Sequence, residues 1–242
     1  LNGMAACNAA RAIKVRMATF AAEEFGTTPD QVEFRDDRVF VGNESLSFSG
    51  LAKRCVNGRV QLSEAGFYKT PKITWDRARA TGRPFFYFAY GAACSEVIID
   101  TLTGENRLLR VDILHDVGRS SDPALDLGQI EGGFVQGMGW LTTEELIFDG
   151  EGRLLTHAPS TYKIPVASDV PTDLRVALFP NANREETIYR SKAVGEPPLM
   201  LANSVFCAIA DAIHSLAPER PVPLHAPATP EAILSACEQL RA

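Results

Sequence analysis

Residues 125–146 read LDLGQIEGGFVQGMGWLTTEEL, an apolar stretch that contains five glycines. Ile130, Phe134, Met138 and Leu141 recur at helical spacing, which predicts a helix from Leu125 to Leu146 with one buried face. Each glycine costs a helix about 1 kcal/mol relative to alanine. Tight packing against another element and close approach of a ligand both explain this cost, because glycine lacks a Cβ. A dinucleotide-binding loop fits poorly, since no strand leads directly into a GxGxxG pattern.

The residues before this helix contain both helical and strand patterns. Two long strands are predicted, Phe85–Asp100 and Arg107–Val117, because both runs are rich in aromatic and β-branched residues. The turn residues 103–106 join them into a hairpin. The earlier elements are a helix from Ala5 to Phe25 that Gly26 ends, a hairpin of residues 32–34 and 39–41 around Asp36 and Asp37, and a short helix that Ser49 caps and Gly58 ends.

The residues after the glycine-rich helix also predict both strands and helices. Short strands are predicted at Glu145–Phe148, Arg153–His157 and Leu174–Phe179. An apolar helix follows from Pro198 to Leu216, and a last amphipathic helix begins at Thr229-Pro230. Helices and strands do not alternate strictly, which favours an α+β fold with mixed sheets and packed helices.

Composition narrows the classes of function. A net charge of -6 without a concentrated basic patch argues against nucleic-acid binding, and no apolar run approaches the roughly 18 residues that a membrane span needs. Five cysteines without a CxxC pair, and four scattered histidines, predict no metal bound directly by side chains. Free, mostly buried thiols in a reducing cytoplasm are expected. Because Leu1 is not an initiator methionine, a fragment or a processed product is also expected.

A second informative segment is Lys192–Met200, which reads KAVGEPPLM. Glu196 lies between Gly195 and two prolines that fix φ at successive positions. Such a rigid loop suits a general base, which must be held in place. A carboxylate close to the start of a helix is also a common interaction with the helix dipole that needs no chemistry. The residues alone leave both interpretations open.

Five motifs occur in order along nearly the whole chain: GFYKTP (66–71), YGAACSEV (90–97), GQIEG with QG (128–137), PSTYKIP (159–165) and SKAVGEPP (191–198). Together they resemble the xanthine dehydrogenase and aldehyde oxidase family of molybdenum hydroxylases. The family pattern Ser-Leu-Asn-Pro is replaced here by Ser120-Ser121-Asp122-Pro123. We expect little consequence, because aspartate serves in turns as asparagine does.

The resemblance implies a molybdenum–molybdopterin cofactor and a role for three residues. Glu196 would be the catalytic base that takes a proton at the molybdenum centre, so that oxygen from water reaches an electron-poor carbon of the substrate. Gln129 would donate a hydrogen bond to the cofactor, and Gly195 would lie beside it. All of 1–242 is then expected to be the carboxyl-terminal part of the molybdenum-cofactor-binding domain.

The resemblance also implies partners. Substrate-binding residues and most of the pterin surface would lie in an upstream lobe of the same subunit, and 2Fe–2S clusters and FAD in a partner subunit or domain. A purine would be the substrate, with NAD as the electron acceptor, in an oligomeric enzyme. An aldehyde oxidase is the alternative within this chemistry. A non-catalytic fragment is the alternative outside it, and the isolated chain is expected to be inactive.

Overall fold

The computed structural model describes residues 1–242 and contains two compact units, Leu1–Phe86 and Tyr87–Ala242. The first unit begins with helix α1 (Asn2–Phe25), which ends at Gly26 in the left-handed conformation, at φ 68°. Strands β1 (Val32–Arg35), β2 (Arg38–Val41) and β3 (Glu44–Ser47) form an antiparallel sheet, and helix α2 (Phe48–Asn57) follows. A small hairpin of β4 (Thr74–Asp76) and β5 (Thr81–Arg83) completes the unit.

The second unit is a three-stranded mixed sheet with helices packed against it. Strands β6 (Gly91–Ile99) and β7 (Asn106–His115) are antiparallel, and β8 (Asp173–Leu178) runs parallel to β7. Helix α3 (Pro123–Thr142), helix α4 (Asn203–His214) and helix α5 (Pro230–Arg241) contribute to one apolar core with the sheet. A 3₁₀ helix, Pro197–Ala202, leads directly into α4 and packs on α3.

The sheet topology brings three distant segments to one edge. Because β7 and β8 are parallel, the residues after His115 and after Leu178 leave the same edge of the sheet. Strand β6 is antiparallel to β7, so its first residue, Gly91, pairs with His115 at that edge too. The residues that surround the candidate site therefore start from this edge.

Most predicted elements are confirmed, including the α+β class, the Asp36-Asp37 hairpin turn and the helix after Thr229, whose hydroxyl accepts from the amide of Ala232. Ile130, Phe134 and Met138 are buried as predicted. No helix is both long and apolar enough to cross a lipid bilayer.

Several boundaries are wrong. Ser47, not Ser49, caps α2, by accepting a hydrogen bond from the amide of Gly50. Residues 85–90 lie outside β6, and α3 ends at Thr142, four residues early. The predicted strands at 145–148 and 153–157 form only one isolated bridge, between Phe148 and Leu154.

Two further predictions need correction. The apolar helix predicted at 198–216 is divided into a 3₁₀ helix, Pro197–Ala202, and α4, Asn203–His214. All five cysteines are free, but only Cys55 and Cys237 are buried, while Cys94 and Cys207 are exposed. Cys94 is exposed because it lies on the face of β6 that looks away from the helices, whereas its neighbour Ala93 packs into the core.

Candidate cofactor site

The amino-terminal part of α3 carries Gln129, and a capping aspartate sets where this helix begins. The side chain of Asp122 accepts hydrogen bonds from the amides of Ala124 and Leu125, at 3.1 and 3.2 Å. Pro123 occupies the first turn, where no amide donor is needed. Aspartate therefore performs the capping role that asparagine also performs at such positions, in line with the small consequence expected for this departure from the family pattern.

The glycines of α3 differ in what an added side chain would meet, which bears on the two explanations that the sequence left open. A Cβ on Gly137 would lie 2.3 Å from the carbonyl oxygen of Leu199, and a Cβ on Gly133 would lie 3.1 Å from the Cβ of Pro198. These two glycines allow tight packing against the 3₁₀ helix. A Cβ on Gly128 or Gly132 would meet nothing within 4 Å. Packing within the chain therefore does not require glycine at these two exposed positions.

Close packing at Gly133 and Gly137 brings the 195–198 segment beside Gln129. A Cβ on Gly195 would lie 3.5 Å from Oε1 of Gln129. The structure thus brings together residues that are 66 positions apart in the sequence, counted from 129 to 195. The two predicted cofactor-contact residues, Gln129 and Gly195, therefore share one surface, and Gly195 directly precedes Glu196.

Glu196 occupies the position just before the 3₁₀ helix. Its backbone carbonyl accepts a hydrogen bond from the amide of Leu199 at 3.1 Å, but its side chain makes no capping hydrogen bond. The carboxylate is exposed and forms no hydrogen bond or ion pair within the chain. The carboxylate makes no capping hydrogen bond, but its charge lies at the start of the 3₁₀ helix, so an interaction with the helix dipole stays an alternative to catalysis.

The surface fits a group that approaches the backbone closely and hydrogen-bonds to amides. Gln129 is exposed, and its amide has no hydrogen-bond partner within the chain. It lies among Gly128, Gly132 and Gly195, which present no side chains. An amide donates hydrogen bonds without adding charge, and an unpaired carboxylate is available to accept a proton. These residues form one wall of a site, since each of them is exposed.

The segment before Glu196 is held by a buried ion pair that the sequence pattern did not predict. Nζ of Lys192 lies 2.5 Å from Oδ2 of Asp116, and both side chains are about 95% buried, with exposures of 6% and 5%. Burial alone would raise the pKa of Asp116. Hydrogen bonds from Lys192, the amide of Gly118 and Asn181, together with the lysine charge, outweigh it and lower that pKa.

His115 lies next to this pair and is also buried. Its ring nitrogens find no hydrogen-bond partner within the chain, and Nδ1 lies 2.5 Å from where a Cβ on Gly91 would stand. Desolvation lowers the pKa of the imidazole. The charge of Asp116 raises it in part, and the charge of Lys192 lowers it further. No local sequence signal distinguishes His115 or Asp116. Their surroundings arise only because β6, β7 and β8 meet at one edge of the sheet.

Comparison with known proteins shows which family the chain resembles. The family model of the molybdopterin cofactor-binding domain matches residues 1–171. The chain belongs to this family. It is 52% identical over 185 residues, or 74% of its length, to the xanthine dehydrogenase/oxidase of Felis catus, and covers 14% of that protein. It is 43% identical over 241 residues to the xanthine dehydrogenase/oxidase of Gallus gallus and covers 16% of it.

The aldehyde oxidase of Homo sapiens is similar as well, at 46% identity over 208 residues, which is 84% of this chain and 16% of that protein. The chain thus spans about one sixth of the length of these relatives. Among solved structures, a Cu,Mo-CO dehydrogenase superposes with a TM-score of 0.73 at 22% identity, over 99% of this chain and 29% of that one. Quinoline 2-oxidoreductase from Pseudomonas putida 86 gives 0.71, also at 22% identity, over 95% and 28%.

The structural matches show the fold, and the family match shows the cofactor class. The resemblance inferred from the five motifs is confirmed, as are the α+β fold and molybdenum–molybdopterin as the cofactor of this molybdopterin-binding family. The individual roles predicted for Glu196, Gln129 and Gly195 stay predictions.

Proposed function

We propose that residues 1–242 form the carboxyl-terminal part of the molybdenum-cofactor-binding domain of a xanthine dehydrogenase-type hydroxylase, in which Glu196 is the catalytic base. One observation carries this proposal. The carboxylate of Glu196 and the amide of Gln129 are exposed, lack partners within the chain, and meet through Gly195 on one glycine-lined surface. Unpaired polar side chains on backbone segments that packing holds in place are suited to binding an external group.

Each residue would make a distinct contribution. When bound, the molybdenum–pterin group supplies the two-electron oxidation and the transfer of oxygen that derives from water. Gln129 donates a hydrogen bond to the cofactor, while Gly128, Gly132 and Gly195 let it approach the backbone. Glu196 accepts the proton at its carboxylate. The two prolines that follow Glu196 limit its motion, which keeps the acceptor oxygen in reach of the proton donor.

Purine is the proposed substrate, with hypoxanthine and xanthine oxidised to urate. Electrons would leave through 2Fe–2S clusters and FAD in a partner subunit or domain and reach NAD. An upstream lobe of the same subunit would supply the substrate-binding residues and close the exposed wall. We place this oligomeric enzyme in the cytoplasm, where five free cysteines would stay reduced.

An aldehyde oxidase is the second candidate, favoured by the 46% identity to the human aldehyde oxidase. The wall described above would serve either reaction, because substrate choice would depend mainly on residues of the upstream lobe. Steady-state rates of the full-length protein with xanthine, hypoxanthine and an aromatic aldehyde separate the two candidates. A kcat/KM for the aldehyde that exceeds both purine values would replace the purine assignment.

The test of Glu196 uses the full-length protein. Glu196→Gln keeps the shape of the side chain but removes the base, so xanthine oxidation should fall by about 10²- to 10⁴-fold, with molybdenum per polypeptide unchanged. Glu219→Gln is the matched control, since Glu219 is another exposed carboxylate without a partner, beyond the far end of α4. Loss of molybdenum in the Glu196 variant would make this carboxylate a structural residue.

Gln129→Ala tests the cofactor contact. Alanine is a better helix former and leaves α3 intact, so the fold should persist while the rate falls, because a hydrogen bond to the cofactor is lost. Kinetic constants equal to those of the unaltered enzyme would remove Gln129 from the site.

A further inference from the structure

A buried polar cluster holds the segment that leads into Glu196. Its centre is the ion pair of Asp116, which follows β7, and Lys192, which lies four residues before Glu196. The ammonium group of Lys192 also lies 5.1 Å from the ring centroid of Tyr90. Asn181, which follows β8, donates to Oδ2 of Asp116 at 3.3 Å. All three elements at the sheet edge therefore contribute to the cluster.

Backbone contacts extend this hold on both sides of the lysine. The amide of Lys192 donates to the carbonyl of Val117 at 2.7 Å, and the amide of Ala193 donates to the hydroxyl of Tyr87 at 2.9 Å. Gly118 and Ser191 form an isolated antiparallel bridge. Gly118 has a φ of +65°, and a Cβ there would lie 2.5 Å from the carbonyl oxygen of Arg190. Only glycine fits this crossing of the two segments.

The loop just upstream is organised by another buried polar side chain. Asn183 is 3% exposed, and its amide donates to the carbonyl of Ser191 at 3.2 Å. Thr187 donates to the same carbonyl at 2.6 Å. Tyr189 and Arg190 adopt left-handed φ values of 49° and 63°, which non-glycine residues adopt only when surrounding contacts impose them. The direction in which residue 191 leaves this loop is thus determined by side chains rather than by local preference.

The Glu196 segment is consequently attached at two points. Lys192 fixes its start through Asp116, and Pro198 fixes its end against Gly133 of α3. Three residues separate Lys192 from Glu196, a span of roughly 14 Å at full extension for the four steps. Because both ends of the segment are attached, the backbone position of Glu196 is restricted.

We propose that Asp116 and Lys192 are positioning residues, whose buried ion pair sets the location of the Glu196 carboxylate relative to Gln129. This inference rests on the proposed function for the identity of the base, but the attachment of the segment is testable without any activity. A displacement of about 1 Å at a reacting group can cost roughly 10²-fold in rate. Loss of the pair should therefore reduce kcat more than it changes KM.

The experiment uses the full-length holoenzyme with two variants. Lys192→Met removes the cation but leaves a buried, unpaired Asp116 and could fail to fold. The double variant Asp116→Asn, Lys192→Met removes both charges together, while the introduced asparagine would keep an oxygen for the Gly118 amide. Arg153→Met is the control, since it breaks the exposed ion pair of Arg153 and Asp149, at 72% and 27% side-chain exposure.

Hydrogen exchange provides the readout that is independent of activity. In the double variant, the amides of Lys192 and Ala193, which donate to Val117 and Tyr87, should exchange at least about 10-fold faster, while the amides of α3 keep their protection. Molybdenum per polypeptide should stay unchanged and kcat should fall at least about 10-fold, with KM within about 3-fold. Unchanged exchange at Lys192 and Ala193, or unchanged kcat in the folded double variant, would overturn the proposal.

A triple variant, which combines Asp116→Asn and Lys192→Met with Glu196→Gln, separates this proposal from the proposed function. If the ion pair acts through Glu196, adding the double variant to Glu196→Gln should lower kcat by less than about 3-fold beyond Glu196→Gln alone. A full further 10-fold loss would overturn positioning through Glu196. Should Glu196→Gln prove fully active, the proposed function fails, and faster exchange at Lys192 and Ala193 would still support the ion pair as the anchor of the segment.

Discussion

Replacing single glycines of α3 by alanine should have opposite effects that depend on what each glycine faces. Gly132→Ala adds a methyl group that meets nothing within 4 Å and gains about 1 kcal/mol of helix stability. That gain corresponds to a melting temperature roughly 2–4 °C higher for a domain of this size. Gly137→Ala makes the same gain but places its methyl carbon 2.3 Å from the carbonyl oxygen of Leu199.

The 3₁₀ helix must then move by roughly 1 Å to reach an ordinary contact distance of 3.4 Å. Overpacking of this kind costs about 1–3 kcal/mol, so Gly137→Ala should be destabilised by a net amount of up to about 2 kcal/mol. Because Leu199 follows Glu196 by three residues, the displacement also reaches the base. Gly137→Ala should therefore lose activity even where its molybdenum content is normal.

Calorimetric melting of the cofactor-free full-length protein measures the change in stability, and molybdenum per polypeptide measures the incorporation of the cofactor. Gly132→Ala should melt at a higher temperature without cofactor yet incorporate less molybdenum, if the open face of α3 receives the pterin. Gly128→Ala serves as the second open-face variant. Equal shifts of the melting temperature in Gly132→Ala and Gly137→Ala would refute the division of these glycines into two groups.

Two further predictions concern stability and cofactor binding. His115→Leu should raise the free energy of unfolding by about 1 kcal/mol at pH 7.5, because two buried nitrogens without partners disappear. The folded pKa of His115 lies below its ordinary value of 6.5, so the unfolded chain takes up a proton first and the native protein loses stability as pH falls below about 6.5. The advantage of His115→Leu in urea titrations should then grow from pH 7.5 to pH 5.5, whereas a constant difference would contradict a neutral buried imidazole. Gly195→Ala should leave the melting temperature of the cofactor-free protein unchanged, because its Cβ makes only an ordinary 3.5 Å contact, but should reduce molybdenum incorporation, and a normal molybdenum content would show that the cofactor does not approach Gly195.

Local signals in the sequence were sufficient for the features that depend on a few neighbouring residues. Gly26 ends α1 and Thr229 starts α5, because a left-handed stop and a capping hydroxyl act within one helical turn. The spacing of Ile130, Phe134 and Met138 identified the buried face of α3 for the same reason. The motifs around Gln129 and Glu196 were likewise sufficient to identify the family.

Local signals gave wrong predictions where two possible helix caps lie close together, and where the pairing of a strand depends on a partner that is distant in the sequence. Ser47 and Ser49 are both good helix caps, and the antiparallel register of β3 determined which one begins α2. The segments at 145–148 and 153–157 have strand-like composition, but they form no ladder beyond a single bridge. Strand propensity depends on a partner strand, which composition does not supply.

The sequence by itself determined which chemical groups the site contains, and the tertiary structure decided how they are arranged. Helical spacing places Gly137 on the buried face of α3 and Gly132 on the opposite face, but only the folded chain shows that the 3₁₀ helix packs at Gly137 and that Gly132 faces open space. Asp116 and Lys192 are 76 residues apart and meet because β7 and β8 are parallel and end at the same edge of the sheet. Contacts of this range depend on the packing of whole elements, whereas helix caps and apolar spacing depend only on neighbours along the chain.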